Sequence, residues 1–488
     1  MLPSKNKAHL EASDQAISSI ASNSSPKYSR KRIMGSEQEY GILVKCRFYE
    51  RAREGMCSHY GNDGCWGLKD GDRSFQRNGG FLYVDCGHPE YASPETSNPL
   101  DAVLYDKAGE LLVQRKVRGN EVRLFKNNRD SQGNSFASHE SYSLSRANLI
   151  LADFDSIINT TLPFFISRII FAGSGFINQR GKYEISQRAG VTKNEISGRA
   201  TDSRGIFNTK DDPLMNGNKY ARLHVINGDA NRSEPALFLK FGTMGLVLDL
   251  FEDKKLKPFG VIDGLDAFHR ISCDLSFSER YGVRFQGEMT AIEIQRVYQE
   301  AAEAAYRGRD EMTDDILNRW KFVLDSLQGN PMSLDRWLDW VIKKKLIDSY
   351  MARTGKGLND TAVRNIDLQY HEVNRQTGLF YMLQSRGLVD RMLTDEQIEH
   401  AVEHPPEDTR ARFRGAIVSR DDIPEKQIGW DYLYYSDTPD EKRRKELEKR
   451  REEGRCNCSS CIQGTGIINR KIGLGDPFDN YLGLEDRL

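Results

Sequence analysis

Asn78-Gly-Gly-Phe-Leu-Tyr83-Val-Asp85-Cys-Gly-His88-Pro-Glu90-Tyr-Ala-Ser93 places a tyrosine and an aspartate two residues apart on a short apolar run, then a tight turn and a second acid. Alternate residues of a strand share a face, so the run predicts Tyr83 and Asp85 pointing the same way. A carboxylate on the floor of a sheet, with another acid on the loop at its end, suits metal binding and proton transfer. Upstream, Ile33-Met34-Gly35-Ser36-Glu37-Gln38-Glu39-Tyr40-Gly41-Ile42 reads as a second strand, with Glu37 and Glu39 at the same two-residue spacing. Two like charges on one face repel unless a cation or basic groups lie between them. Mg2+ prefers oxygen ligands and often sits between carboxylates and phosphate oxygens. Taken alone, such a strand is more simply the solvated outer face of a surface sheet; the company of Tyr83, Asp85 and Glu90 weighs against that.

A chain of 488 residues exceeds what one core usually supports, so a large domain with a smaller companion is expected. Charged residues make up 29% and hydrophobic ones 38%, and no apolar run has membrane-spanning length, which predicts a soluble globular protein. Lys+Arg 70 against Asp+Glu 71 gives a net charge of -1, which argues against a nucleic-acid-binding surface over the whole molecule. Residues 1–29 are rich in Ser, Asn, Lys and Ala without the apolar core of a signal peptide, and read as a disordered lead-in to a cytoplasmic protein. Eight cysteines in such a chain make no disulfide framework. Cys456, Cys458 and Cys461 form a cluster that would need Cys57, Cys65 or a histidine to complete a structural zinc site; a tail with incidental thiols is the simpler reading.

Between about residues 30 and 280, short β-rich runs mix with helical stretches. Strands are expected at 32–46, 80–86, 121–126, 221–228 and around Phe238-Leu-Lys-Phe241, and helices over 138–158 and Gly242–Phe251. The absence of a regular βαβ beat favours an α+β fold over a doubly wound sheet. Ile292–Tyr306 and Asp315–Leu327 carry helical apolar stripes, and Leu334–Met351 follows with Ser333 placed to cap it. Lys343–Lys345 reads as the wet side of that helix, or as a contact for an acidic partner peptide. Thr438–Gly454 is nearly all charged and reads as an exposed helix.

Several motifs carry a family resemblance. Arg32-Ile-Met-Gly-Ser-Glu-Gln-Glu-Tyr-Gly, Leu82-Tyr-Val-Asp with His88-Pro-Glu-Tyr, and Phe125-Lys-Asn-Asn-Arg-Asp-Ser-Gln-Gly-Asn-Ser resemble the Pup ligase/deamidase family. So do His139-Glu, Ser186-Gln-Arg188, Arg222-Leu-His224-Val-Ile-Asn-Gly-Asp229-Ala-Asn231, Thr409-Arg-Ala-Arg-Phe-Arg-Gly415 and Asp476-Pro-Phe478. Pup is the prokaryotic ubiquitin-like protein, a small disordered tag joined to lysines of proteins bound for a bacterial proteasome. The resemblance implies a glutamine-synthetase-like fold: a curved antiparallel sheet forming a cradle, helices behind it, and a small C-terminal domain. It divides the chain into a catalytic domain over 30–404 and a small domain over 405–488. ATP and Mg2+ would occupy the cradle. By position, Glu37, Tyr83 and Glu90 correspond to magnesium ligands, with Glu39 a further one; Asp85 corresponds to the catalytic aspartate, Ser93 to a nucleotide contact and Trp430 to the aromatic beside the adenine. Arg222 and Arg188 are candidates to hold phosphate or the tag's carboxylate, with an internal ion pair as the alternative. The implied reaction activates the tag's C-terminal glutamate as a γ-glutamyl phosphate, which a substrate lysine attacks.

The chain departs from the family pattern at Lys210, where relatives carry arginine in Asn-Thr-Arg-Asp-Glu-Pro-His, and at Leu214, where they carry histidine. Phe81 replaces an arginine, and Ala221 precedes Arg222 where a second arginine is usual. Lys for Arg removes a bidentate donor, so phosphate or tag contacts are expected to be rearranged. The family's second activity deamidates a C-terminal glutamine on the tag and cuts the tag from substrates. Asp85-Cys-Gly-His88 and the run from Ser93 to Gly109 resemble that sister enzyme, but its long insertion between the Glu37 and Asp85 strands is missing. Asp130-Ser-Gln-Gly-Asn-Ser, Trp340-Val-Ile-Lys-Lys-Lys-Leu and Asp476-Pro-Phe are ligase-like, and the reading leans to ligase. A small-molecule carboxylate–amine ligase and a non-catalytic binder of the tag remain as further readings.

Overall fold

The computed structural model describes residues 27–44, 73–116, 122–130, 133–152, 154–212, 214–420, 426–437, 449 and 468–482. The expectations for residues 1–26, for the cysteine cluster and for nearly all of the charged run lie outside them. The centre is a six-stranded antiparallel sheet in the order Tyr220–Val225, Ser138–Ser145, Met34–Glu39, His88–Ala92, Phe81–Asp85 and Arg73–Phe75. Met34, Leu82, Tyr91, Tyr142, Leu144, Ala221, Leu223 and Val225 alternate along these strands and are buried on one face. That face packs on helices Pro99–Lys116 and Glu234–Glu252. Residues one step out of phase, from Glu37 to His224, occupy the other. Period-two patterning thus assigns the hydrophobic side to the core and leaves a polar open face.

Several elements differ from the sequence reading. Phe238–Phe241 lies inside the Glu234–Glu252 helix, not in a strand. Eighteen of that helix's residues are buried, so it has no polar face, and a short apolar run inside it carries no strand or helix period. Residues 138–145 form a strand and the helices begin at Arg146; the Ser/Tyr/Leu alternation was the strand signal. Ser333 caps nothing: Pro331–Leu334 is a 3-10 turn capped by Asn330, and the following helix starts at Asp339. Tyr28, counted with the lead-in, is buried in the main core.

Lys343 was expected in water and is instead fully buried. Its ammonium reaches Asp367 Oδ1 and the Gly175 carbonyl, each at 2.5 Å, and His371 Nε2 at 2.8 Å. His371 Nδ1 is 2.7 Å from the Lys126 carbonyl, so its proton sits there and Nε2 accepts from the lysine. Burial and the Lys343 charge hold the His371 pKa well below its ordinary value. Between that depressed value and about 6.5 the unfolded chain takes up a proton that the folded chain refuses. Stability therefore falls as pH drops below about 6.5, by up to ~1.4 kcal/mol per pH unit from this residue. Denaturation midpoints measured from pH 7.5 to 5 should show a shallower decline in His371→Gln than in the parent.

A separate, smaller apolar cluster joins Phe413, Ile417, Leu433 and Leu474. It draws the helix Ala411–Val418 together with the three-stranded sheet of Lys426–Ile428, Tyr432–Asp437 and Ile468–Gly473. No helix among the described residues is long and apolar enough to cross a membrane.

Candidate active site

Register places the acids. Glu39 pairs with Glu90 and Glu90 with Tyr83, so the three share the open face in one row across three strands. Glu37 lies in the adjacent row with Ala92 and Phe81 on one side and His139 on the other. Asp85 ends its strand opposite His88. Cys86 and Gly87 make the turn with φ of 49° and 84°, the left-handed pair that tight hairpins need. The turn leaves Asp85 exposed at the rim while Glu90 is buried.

Carboxylate oxygens of Glu39, Asp85 and Glu90 lie within 4.8 Å of one another. Burial and the charges of Glu37 and Glu39 push Glu90 well above the ordinary carboxylate range. Burial also raises Glu39, although one of its oxygens accepts the Ala137 amide at 2.7 Å. Three clustered acids, all offering oxygen, form a donor set suited to a hard divalent cation. The Tyr83 phenol is kept protonated by burial and by Glu90, to which it hydrogen-bonds.

Glu37 belongs to a different group. Its Oε1 accepts Arg222 Nη2 at 2.5 Å, and its Oε2 lies 3.3 Å from His139 Nδ1 and 3.6 Å from His224 Nε2. Against the cost of burial, Arg222 and the two imidazoles hold Glu37 well below the ordinary carboxylate range. Glu37, His139 and His224 are the second set of side chains among the described residues that converge as metal ligands do. Arg222 is therefore engaged in an internal ion pair and in a 3.0 Å bond to the Ser141 hydroxyl. Nothing local in the sequence gives the two histidines a role: residues 138–145 form a strand where a helix is expected, and only the register shows that the His139 strand adjoins Glu37.

Ser93 is buried, its hydroxyl accepting the Ser36 amide at 3.0 Å and donating to the Pro94 carbonyl at 3.1 Å. It lines a cleft with Gly35, Glu37, Leu214, Arg222, Arg410 and Trp430. Trp430 meets Phe75 edge-on with ring centres 5.2 Å apart and Phe81 at 6.1 Å. Phe81 thus replaces the expected arginine with a third ring of an aromatic wall, and Leu214 is part of the cleft lining. Arg188 is buried within reach of the Glu39 charge, bonded to Ser135 Oγ and to the Phe136 and Ile226 carbonyls.

Along the open face the Glu37 row, which ends in Phe81 of the aromatic wall, borders the cleft; the Glu39–Glu90–Tyr83 row comes next, and Asp85 last. The fold that carries this face is that of the solved Pup ligases. The chain superimposes on the ligase in "Crystal structure of the complex between Prokaryotic Ubiquitin-like Protein Pup and its Ligase PafA" with a TM-score of 0.78 at 31% identity, covering 94% of this chain and 92% of that one. The Pup ligase PafA in complex with ADP gives a TM-score of 0.70 at 32% identity, covering 85% and 89%. Residues 50–434 match the family described as Pup-ligase protein, and the chain belongs to that family. Among curated relatives, a Pup--protein ligase of Mycobacteroides abscessus is 37% identical over 80% of this chain and 90% of its own length. A depupylase of Acidothermus cellulolyticus is 35% identical over 87% and 86%.

Proposed function

We propose that the protein is an ATP-dependent ligase that activates the C-terminal glutamate of Pup, or of a Pup-like modifier, and joins it to a lysine of target proteins. The observation that carries the reading is the row order on one sheet face within this family: an aromatic cleft, a cluster of acids, and an exposed aspartate beyond them. Trp430, with Phe81 and Phe75 behind it, offers flat apolar surface to a nucleobase. Glu37, Glu39, Tyr83 and Glu90 lie where triphosphate extending from that cleft would pass, and are the residues that would hold Mg2+. A divalent cation held by these residues would supply neutralisation of phosphate charge during transfer.

A carboxylate is a poor acyl donor until one oxygen becomes a good leaving group. The γ-phosphoryl group of ATP therefore goes to the glutamate γ-carboxylate, releasing ADP. The lysine arrives as an ammonium and must lose a proton before its nitrogen can attack; attack then releases phosphate and forms the isopeptide bond. Asp85 is placed to take that proton, since it is the acid at the open rim where a bulky protein can reach.

The depupylase reading uses the same face for hydrolysis, and the Acidothermus relative keeps it in view. Mixing the protein with ATP, Mg2+, a lysine-bearing protein and Pup ending in either Glu or Gln separates the two. A mass-shifted conjugate from the Glu form is expected. Ammonia release from the Gln form without conjugate would overturn the ligase reading.

A further inference from the structure

The hairpin that carries Asp85 reaches past the strands beside it. Among the described residues, registered pairing with Met34–Glu39 stops at Glu39–Glu90, and pairing with Arg73–Phe75 stops at Arg73–Tyr83. Asp85 and His88, the pair that closes the turn, therefore have only each other in the ladder. Directly opposed residues share a face, so His88 stands beside Asp85 on the open side. What holds this projecting end is the His88 side chain. Its Nδ1 donates to the Tyr40 carbonyl at 3.0 Å, and its ring stacks on Phe136 with centres 4.6 Å apart and planes 25° from parallel. A carbonyl can only accept, so the proton sits on Nδ1.

Phe136 is a fixed platform for that ring. It is buried, its amide donates to the Asn128 carbonyl at 3.2 Å, and its own carbonyl accepts Asn128 Nδ2 at 3.1 Å. The next residue, Ala137, is bonded to Glu39 twice. The Glu39 amide donates to the Ala137 carbonyl at 3.1 Å, and the Ala137 amide donates to the Glu39 carboxylate at 2.7 Å. Gln38 Nε2 adds a bond to the same carbonyl at 3.2 Å. Two consecutive residues thus hold two acids: Ala137 holds Glu39 through its amide, and Phe136 holds the Asp85 end through His88. A two-stranded end without further packing is marginal in water, so the stack is what keeps an exposed Asp85 in a fixed place beside buried acids.

We propose that Phe136 is a positioning residue for the proton-transfer step, its ring acting through His88 to hold Asp85 where the incoming lysine must be deprotonated. The inference rests on the ligase reading above. The stack works through flat surface against flat surface and asks for no charge on the imidazole. Misplacing a reacting group by about 1 Å costs on the order of 10²-fold in rate, so the stack governs turnover without taking part in the chemistry. Its effect depends on the nucleophile. Lysine has to give a proton to Asp85 before it attacks. Hydroxylamine is uncharged at neutral pH and does not. Its nitrogen attacks the acyl phosphate directly, the carbon–oxygen bond to phosphate breaks, phosphate leaves with the electron pair, and the surplus proton passes to water. The product is a γ-glutamyl hydroxamate.

Pup ending in glutamate, ATP and Mg2+ are supplied with either a lysine-bearing protein or hydroxylamine. Phe136→Leu keeps apolar bulk but loses the flat face. Its kcat for lysine conjugation should fall by about 10–100-fold, with ATP affinity by calorimetry unchanged and hydroxamate formation within a few-fold of the parent. Phe136→Tyr keeps the ring and should conjugate lysine at close to the parent's rate. His88→Leu should match Phe136→Leu, and the double variant should lose no more than either, as expected for one stack broken once. If Phe136→Leu fails to fold, His88→Leu carries the same comparison. Equal loss of both products would overturn the inference, as would losses that multiply in the double variant or undiminished lysine conjugation in both single variants. Each of these leaves the ligase reading intact. A parent that makes neither product would remove the ligase reading, and the positioning role with it.

Discussion

Asp85→Asn should bind ATP as the parent does and conjugate nothing at a measurable rate. The side chain is nearly the same size, and the residue sits at an exposed hairpin rim, so the fold has little reason to respond. What changes is the chemistry. An amide cannot accept the ammonium proton of an incoming lysine, and general-base contributions of this kind are worth roughly 10²–10⁴ in rate. The loss should fall on kcat, because the proposed nucleotide cleft beside Trp430 lies at the other end of the face. Asparagine also removes one of the three acids that crowd within 4.8 Å, so charge repulsion among Glu39, Glu90 and their neighbour is relieved. Calorimetry with ATP and a single-turnover conjugation assay read the two effects separately. Undiminished conjugation would take Asp85 out of the mechanism; lost ATP binding would make it a ligand instead of a base.

How much of this site is legible in the sequence depends on the range of the signal. Glu37 with Glu39 and Tyr83 with Asp85 are readable because a strand's period is two and both pairs lie within one strand. The Cys86-Gly87 turn is readable for the same local reason. Which strands are neighbours is not a local property. The sequence put Glu37, Tyr83 and Glu90, with Glu39, into one ligand set; what it could not report is that Glu37 lies one row over, where Arg222, His139 and His224 also hold it.

The resemblance supplied the nucleotide end, where the local pattern is silent. Trp430 lies far along the chain, and nothing in its neighbourhood says that it closes a cleft over Ser93 and Gly35. Phe81 shows how such a departure is absorbed: a hydrophobic ring replaces a cation and joins Phe75 and Trp430, with centres 4.6 and 6.1 Å away. If the proposed nucleotide site is there, binding at that end leans on stacking more than on charge. Fluorescence of Trp430 on nucleotide addition offers a direct reading of that contact.

Glu95→Gln should be the most damaging single change outside the acids. Glu95 leaves the Ser93 loop and is gripped by two buried arginines of the C-terminal unit, Arg410 at 2.7 Å and Arg414. Thr409 adds a bond to the Glu95 carbonyl at 2.8 Å. Arg414 also lies over the Trp430 ring, 4.7 Å from its centre, and donates to the Trp430 and Gly79 carbonyls. The carboxylate thus fixes the aromatic wall against the sheet. Glutamine would leave two buried cations without their counter-charge, a loss of about 3–5 kcal/mol in comparable cases. We therefore expect lowered thermal stability together with weakened ATP binding, as Trp430 loses its support. Acid should act in the same way on the parent. Against burial, Arg414 and Arg410 bring the Glu95 pKa down to about 2. Its contribution is complete above the ordinary glutamate value of about 4.5 and is lost as pH falls from there toward 2. Glu95→Gln cannot lose what it lacks, so its melting temperature should depend less on pH across that window. Equal slopes in the two proteins would show that Glu95 does not anchor the C-terminal unit through its charge.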